Sequence, residues 1–122
     1  YFPTIVEVTG AALGKKAERP VDGISLLPVL TGQVKQRAQP LFFGYQRLYA
    51  GTDGQALTDN RFKLVKSASK NGGYKLFDLL EDPAEKNDLS ASKPEVFAAM
   101  KARMAEYEES SRRSRDGADY VF

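Results

Sequence analysis

Residues 62–89 read FKLVKSASKNGGYKLFDLLEDPAEKNDL, and this stretch decides the fold. Two short apolar runs, residues 62–65 and 74–77, are joined by a polar link that ends in Asn71-Gly72-Gly73. Glycine, and to a lesser extent asparagine, tolerates the positive φ angles of a tight reversal, so the pattern predicts a β-hairpin. Residues 78–85 follow directly, and their aspartates and proline are typical of a turn.

The composition is that of an ordinary globular domain. The chain has 122 residues, of which 42% are apolar and 28% charged, enough for one domain with a modest core. A formal net charge of +2 gives no support for a nucleic-acid or membrane surface, and no apolar run reaches transmembrane length. We therefore expect neither nucleic acid nor membrane as a partner.

Cysteine and histidine are both absent from the sequence. No disulfide, thiolate nucleophile or Cys/His zinc site can be built from this chain, and the usual base of a Ser-His-Asp triad is missing. The range of chemistry open to these residues is therefore narrow.

The first segment, residues 3–10, is ambiguous. Its β-branched alternation favours a strand, whereas Pro3 and Gly10 suit the two ends of a helix. A very short helix is predicted next around residues 26–30, with Ser25 as its cap.

Two more strand candidates lie at residues 41–45 and 55–58. With the hairpin they give about four strands joined by short links. Short links predict antiparallel neighbours, because a parallel pair needs a long crossover.

A helix is predicted after the acidic segment. Ser92 and Glu95 have the spacing of a capping box, and Pro94 lies in the first turn. Apolar side chains then recur at spacings of three and four, which places them on one face: Phe97, Met100, Met104 and Tyr107. The helix is expected to end near residues 110–111. The predicted fold class is α+β, a small antiparallel sheet of about four strands packed against a C-terminal helix, preceded by a short N-terminal helix and loop.

Two charged clusters have a structural and a binding interpretation. The arginines at 112, 113 and 115 suit a helix C-terminus, and contact with a polyanion is the alternative. The carboxylates of Asp78, Glu81, Asp82 and Glu85 suggest a calcium loop but lack the regular oxygen spacing of an EF-hand. We predict no metal here, and expect Asp78 and Asp82 to cap turns and Glu85 to pair with a base.

The order of these motifs resembles the sulfatase (arylsulfatase-like) family. Phe2-Pro3-Thr4 and residues 22–28 resemble the segment that closes its catalytic domain, and residues 60–64 resemble its [WYF]-K-[LYF] strand. Residues 76–89 resemble its L-[YF]-D-L…D-P-x-E-x-x-N-L signature, although the family often has asparagine where Asp88 stands. The resemblance covers Phe2 to about Tyr107 and implies a helix at residues 3–10. Its structural signature residues are Asn60, Arg61, Lys63, Asp78, Asp82, Pro83, Glu85 and Asp88.

The resemblance implies a C-terminal domain of a sulfuric ester hydrolase, a fragment of an alkaline-phosphatase-like fold. Residues 1–36 would close the catalytic domain, residues 37–111 would form the C-terminal subdomain, and residues 112–122 a basic then apolar tail. A parent enzyme would carry calcium and a formylglycine made from a C/S-x-P-x-R motif. That motif is absent here, so no catalytic residue is assigned and the chain should be inactive alone. The alternatives are the equivalent domain of a phosphonate or phosphate ester hydrolase, and a stand-alone α+β binding module.

The expected partner is an N-terminal catalytic domain of the same polypeptide. Apolar residues that would pack on it predict self-association of the isolated chain: Phe2, Ile5, Val6, Leu26, Leu27 and Leu30. Candidate substrate contacts are Arg47, Tyr49 and Asp53 in a glycine-containing loop, for which a solvated surface loop is the alternative. A periplasmic or secreted parent is compatible with this composition, because many exported proteins also lack disulfides.

Overall fold

A computed structural model describes residues 1–12, 23–46, 53–67 and 72–118. Its helices and strands, in chain order, are α1 (Phe2–Thr9), α2 (Leu27–Leu30), β1 (Leu41–Gln46), β2 (Asp53–Thr58), β3 (Phe62–Lys66), β4 (Tyr74–Asp78) and α3 (Pro94–Arg115). The chain divides into two compact units, one formed by Tyr1–Gln39 with Ser111–Phe122 and the other by Pro40–Ser110.

The second unit contains one four-stranded sheet in the order β1-β2-β3-β4, with every neighbouring pair antiparallel. The register sets Phe42 opposite Leu57, Leu57 opposite Leu64, and Leu64 opposite Leu76. Because side chains alternate between the faces of a strand, these four form a continuous apolar row on one face. The tip of the β3–β4 hairpin falls at residues 68–71, outside the described residues, and Gly73 has no positive φ.

The core forms where α3 lies across this apolar row. Five buried side chains make one cluster: Leu57, Leu64, Leu76, Met100 and Met104. Two ring contacts extend it, since Phe42 stacks on Tyr107 with centroids 5.5 Å apart and Tyr74 meets Phe97 edge-on at 6.4 Å. The predicted α+β class, with a four-stranded antiparallel sheet against the C-terminal helix, is confirmed.

The start of α3 differs from the predicted capping box. The Ser92 hydroxyl donates to the Leu89 carbonyl at 3.3 Å, and the Lys93 carbonyl accepts the first helical bond from the Phe97 amide. The Lys93 N–H also bonds the Leu89 carbonyl, in a turn that precedes Pro94. The helix therefore begins one residue later than a box at Ser92 requires.

The end of α3 also lies further along the chain than predicted, at Arg115 rather than near residues 110–111. Gly117 adopts φ +85°, and its N–H bonds the Ser114 carbonyl while the Ala118 N–H bonds the Arg113 carbonyl. This is a Schellman cap, which needs a left-handed residue that glycine supplies without strain. Arginines therefore occupy the last turn, where cations are favourable against the helix dipole.

In the first unit, α1 is a helix despite its β-branched residues. Pro3 lies in the first turn, and Gly10 closes the helix with φ +63°. The Thr4 hydroxyl accepts a hydrogen bond from the Leu26 amide at 3.0 Å and so ties α1 to the segment before α2. Of the predicted packing residues, Phe2, Ile5 and Leu30 are exposed, whereas Val6, Leu26 and Leu27 are half-buried.

Candidate functional site

The candidate site is the acidic turn, residues 78–88, together with the ends of β3 and β4 that it contacts. Strand β4 ends at Asp78, whose carboxylate accepts the amides of Leu80 and Glu81 at 3.2 and 3.4 Å. The Asp82 amide donates to the Asp78 carbonyl at 2.7 Å. Because aspartate bonds its own following backbone in this way, the chain turns as soon as the strand ends.

Arg61 holds the buried carboxylate of Asp78. Its Nε and Nη2 atoms lie 2.9 and 2.7 Å from Asp78 Oδ2, and Asp78 is only 3% exposed. The β2–β3 turn positions the arginine, because the Asp59 carboxylate accepts the Arg61 amide at 2.7 Å. The Arg61 guanidinium keeps the pKa of Asp78 below its usual range, aided by the amides of the turn, although burial opposes the shift.

Asp82 and Pro83 build the middle of the acidic turn. The Glu85 amide donates to the Asp82 carbonyl at 3.1 Å, so Pro83 occupies the second position of a four-residue β-turn. The Asp82 carboxylate then accepts the amides of Lys86 and Asn87 at 2.8 and 2.7 Å. Asp82 thus stabilises two successive turns through its carbonyl and its carboxylate.

Glu85 is the one described non-glycine residue with a positive φ, +53°. For an L-residue this left-handed conformation costs about 1–2 kcal/mol. Lys63 offsets that cost, since its Nζ lies 2.7 and 2.9 Å from the two carboxylate oxygens. The contact brings the acidic turn against the sheet face opposite α3, where Phe77 is 8% exposed.

Asp88 closes the outer edge of β4. Its Oδ1 accepts the amides of Leu76 and Ser90 at 3.2 and 3.0 Å, while the Leu89 amide donates to the Leu76 carbonyl at 2.8 Å. Both backbone groups of Leu76 are therefore satisfied outside the sheet ladder. Burial alone would raise the pKa of Asp88, but the two amide bonds outweigh it and lower the pKa.

A salt bridge that the sequence analysis did not predict joins β3 to α3. Lys66 Nζ lies 2.6 Å from Glu108 Oε1, and both side chains are half-buried. The predicted apolar stripe of the helix does not include Glu108. Its position four residues after the buried Met104 is the signal that could have placed it beside the sheet.

Most carboxylates of the acidic turn bind other groups of the same chain. Three of its four predicted carboxylates, Asp78, Asp82 and Glu85, are bound by amides or cations of the chain itself. Within the described ranges no three His, Cys, Asp or Glu side chains are grouped to hold a metal ion. The calcium of a sulfatase therefore does not fit these residues.

The predicted substrate contacts cannot be added to this site. Arg47 and Tyr49 lie outside the described residues, and so does the side chain of Asp53, whose backbone begins β2. Of the other predicted residues, Asn60 is exposed at the β2–β3 turn. Across the part of the chain that the structure describes, no helix is long and apolar enough to cross a membrane.

Several solved structures with a similar fold are described as sulfatases. BT1596, described as a 2-O GAG sulfatase, superimposes with a TM-score of 0.68 and 25% identity, covering 93% of this chain and 25% of that one. A candidate sulfatase from Bacteroides thetaiotaomicron VPI-5482 gives 0.70 and 24%, with the same coverage. BT4656, solved with its substrate D-glucosamine-2-N,6-O-disulfate, gives 0.65 and 18%, covering 96% of this chain and 24% of that one.

The chain thus spans about a quarter of the length of the structures it matches. Among curated proteins, none matches the sequence with significance. The sequence model for "N-sulphoglucosamine sulphohydrolase, C-terminal" matches residues 1–110, nine-tenths of the chain. The chain therefore belongs to the C-terminal domain family of the N-sulphoglucosamine sulphohydrolases.

Proposed function

We propose that this chain is the C-terminal domain of a longer sulfuric ester hydrolase, in which it supports an N-terminal catalytic domain. The observation that carries the proposal is the family match over residues 1–110 in a chain that spans only a quarter of comparable sulfatase structures. The absence of cysteine and histidine from the sequence agrees with a supporting role.

The catalytic groups of such an enzyme belong to the rest of the polypeptide. A formylglycine nucleophile needs a C/S-x-P-x-R motif, and this chain contains no such motif. The acidic turn offers calcium no unoccupied carboxylate set, because its aspartates hold backbone amides. We assign the formylglycine and calcium to the catalytic domain, and the signature residues of the acidic turn to the stability of this one.

The proposed substrate class is a sulfated saccharide. BT1596 is described as acting on glycosaminoglycan sulfate and BT4656 on a disulfated glucosamine, and the family takes its name from N-sulphoglucosamine. Arg47, Tyr49 and Asp53 remain candidates for contact with the saccharide, because loop arginines and tyrosines suit hydrogen bonding and stacking.

The test compares the 122-residue chain with the longer polypeptide that carries it. The longer polypeptide should contain a C/S-x-P-x-R motif and turn over an aryl sulfate faster than the matched aryl phosphate. The 122-residue chain alone should give no turnover above buffer. A threonine or unmodified serine nucleophile with phosphate ester preference would establish the phosphate hydrolase alternative, and turnover by the short chain would refute a supporting role.

A further inference from the structure

The last turn of α3 carries three arginines, Arg112, Arg113 and Arg115, which we call the arginine cluster. All three residues are exposed. Residues 110–118 contain these three cations and one carboxylate, so the net charge of this stretch is +2. The whole sequence has 18 basic and 16 acidic residues, which leaves 15 of each outside the stretch. The net positive charge of the chain is therefore concentrated at the end of α3.

The helix brings the arginine cluster together within one turn. Arg112 and Arg115 are three residues apart, a spacing that places their Cβ atoms about 5–6 Å from each other. Arg113 lies about 100° further round the helix than Arg112. Past Glu108, every residue of α3 is exposed except Ser114, which is half-buried. The three guanidinium groups can therefore contact one extended ligand at the end of the helix.

Capping of the helix does not by itself require three arginines. Cations near a helix C-terminus are favourable against the dipole, but the last carbonyls already have partners. The Arg113 and Ser114 carbonyls accept the two amides that form the Schellman cap, at 3.0 and 3.1 Å. Arg112 bonds the Asp116 carboxylate at 3.3 Å, and both side chains are 62% exposed. An exposed ion pair of this kind is weak, so an anionic ligand can replace the carboxylate.

The guanidinium group determines which anion suits the arginine cluster. Its planar fork of N–H donors forms paired hydrogen bonds with the oxygens of a phosphate or sulfate group, which a lysine ammonium cannot do. Short basic runs are typical of heparin-binding and nucleic-acid-binding surfaces. A nucleic acid is the poorer match, because bases and acids balance outside residues 110–118 and provide no long track of cations for a phosphate backbone.

We propose that the arginine cluster is a binding site for the sulfate groups of a sulfated polysaccharide. The inference rests on the proposed function, which gives the longer enzyme a sulfated saccharide as its substrate. A polysaccharide carries many sulfate groups in series, so the second and third arginine contacts form at a high effective concentration once the first has formed. Binding at the cluster raises the concentration of a polymeric substrate at the enzyme.

Binding of heparin to the longer polypeptide tests the site. In a triple variant, all three arginines of the cluster are replaced by glutamine: Arg112→Gln, Arg113→Gln, Arg115→Gln. The Kd for heparin at low salt should rise at least about tenfold, because three charge-assisted contacts are lost. In the parent protein, log Kd should rise with log salt concentration with a slope of about 2–3, and this slope should fall below about 1 in the variant.

A matched control variant removes the same charge from three exposed residues outside the cluster: Lys35→Gln, Lys93→Gln, Arg103→Gln. Its Kd for heparin should change by less than about threefold. An equal loss of heparin binding in the two triple variants would overturn the proposal, because net charge rather than the cluster would then explain the binding.

Competition identifies the chemistry that the cluster recognises. Soluble heparin should displace immobilised heparin from the parent protein, whereas desulfated heparin, which keeps its carboxylates, should be at least tenfold weaker. Equal competition by desulfated heparin, or by a single-stranded oligothymidylate, would overturn the proposal.

Two further outcomes separate the proposal from the proposed function. A longer polypeptide that hydrolyses an aryl sulfate, but whose arginine variant binds heparin as the parent does, would overturn the proposal and leave the proposed function standing. Heparin binding through the cluster in a longer polypeptide that hydrolyses no sulfate ester would support the binding site and refute the proposed function.

Discussion

The outer strands of the sheet, β4 and β1, have opposite surroundings. Beside β4 short polar contacts close the strand: the Asp88 carboxylate and the Leu89 amide bond the backbone of Leu76, and Arg61 bonds Asp78. Around β1 the chain presents Phe43 to solvent. The β4 side therefore carries polar contacts that stabilise the domain, whereas the β1 side leaves apolar surface exposed.

The signature residues predicted from the sequence fall on the closed side of this comparison. Lys63, Asp78, Asp82, Glu85 and Asp88 all fix the acidic turn to β3 and β4 or shape its backbone. Strand β1 contains none of the signature residues. A run of carboxylates that suggests a metal site is therefore, in this fold, a set of backbone acceptors and ion-pair partners.

The largest loss of stability is expected from a substitution in the core between the sheet and α3. Leu64→Ala removes a fully buried side chain from the centre of the cluster and should lower the free energy of unfolding by about 2–5 kcal/mol. Urea denaturation measures this loss. Leu80→Ala, at an exposed leucine, should stay within about 0.5 kcal/mol of the parent chain, and a similar cost for both would contradict the assigned core.

The next largest loss of stability is expected from a substitution beside β4. Asp78→Ala leaves the Arg61 guanidinium and two turn amides without their acceptor, so the melting temperature should fall by roughly 5–10 °C. Circular dichroism measures it. The matched control is Asp116→Ala, which removes the exposed pair with Arg112 at 3.3 Å and should cost less than about 2 °C.

Acid should weaken the same side. Asp78 and Asp88 have a lower pKa in the folded chain than in the unfolded one, where the pKa of aspartate is about 3.9. Their contribution is therefore complete well above pH 4 and is lost as the pH falls through the folded pKa values. Melting temperatures between pH 7 and pH 2.5 should fall less steeply in the Asp78→Asn, Asp88→Asn double variant. An equally steep fall would show that other groups dominate.

The smallest effect tests the departure from the family pattern at position 88. An asparagine Oδ1 can accept the Leu76 and Ser90 amides as aspartate does, so Asp88→Asn should shift the unfolding free energy by less than about 0.5 kcal/mol. Asp88→Ala loses both bonds and should cost about 1 kcal/mol. If the asparagine variant is as destabilised as the alanine variant, the charge rather than the acceptor geometry matters.

The sequence predicted the sheet and the helix well because both rest on local patterns. Short links between the strand candidates indicated antiparallel neighbours, and the Met100–Met104 spacing indicated the buried face of the helix. The sequence could not predict the left-handed conformation of Glu85. Glutamate rarely adopts this conformation, and its ion-pair partner, Lys63, lies 22 residues away in the chain. The end of α3 could have been predicted from Gly117, because glycine commonly follows the last residue of a helix.

Long-range polar pairs were the least predictable part of the site. Lys66 and Glu108 are 42 residues apart, and nothing local in either segment requires them to meet. The Asp88 bond to Leu76 likewise depends on where the acidic turn returns to the sheet. Such contacts follow from the tertiary register, which a single sequence does not specify.

The central claim is that the closed side of the sheet stabilises the domain and takes no part in catalysis. Its most direct test is the turnover number per folded molecule of Asp78→Ala in the longer polypeptide, measured with an aryl sulfate well below the melting temperature. The account predicts turnover within about twofold of the parent enzyme, together with the lower melting temperature. A loss of a hundredfold or more in fully folded enzyme would contradict it and assign Asp78 a role in catalysis.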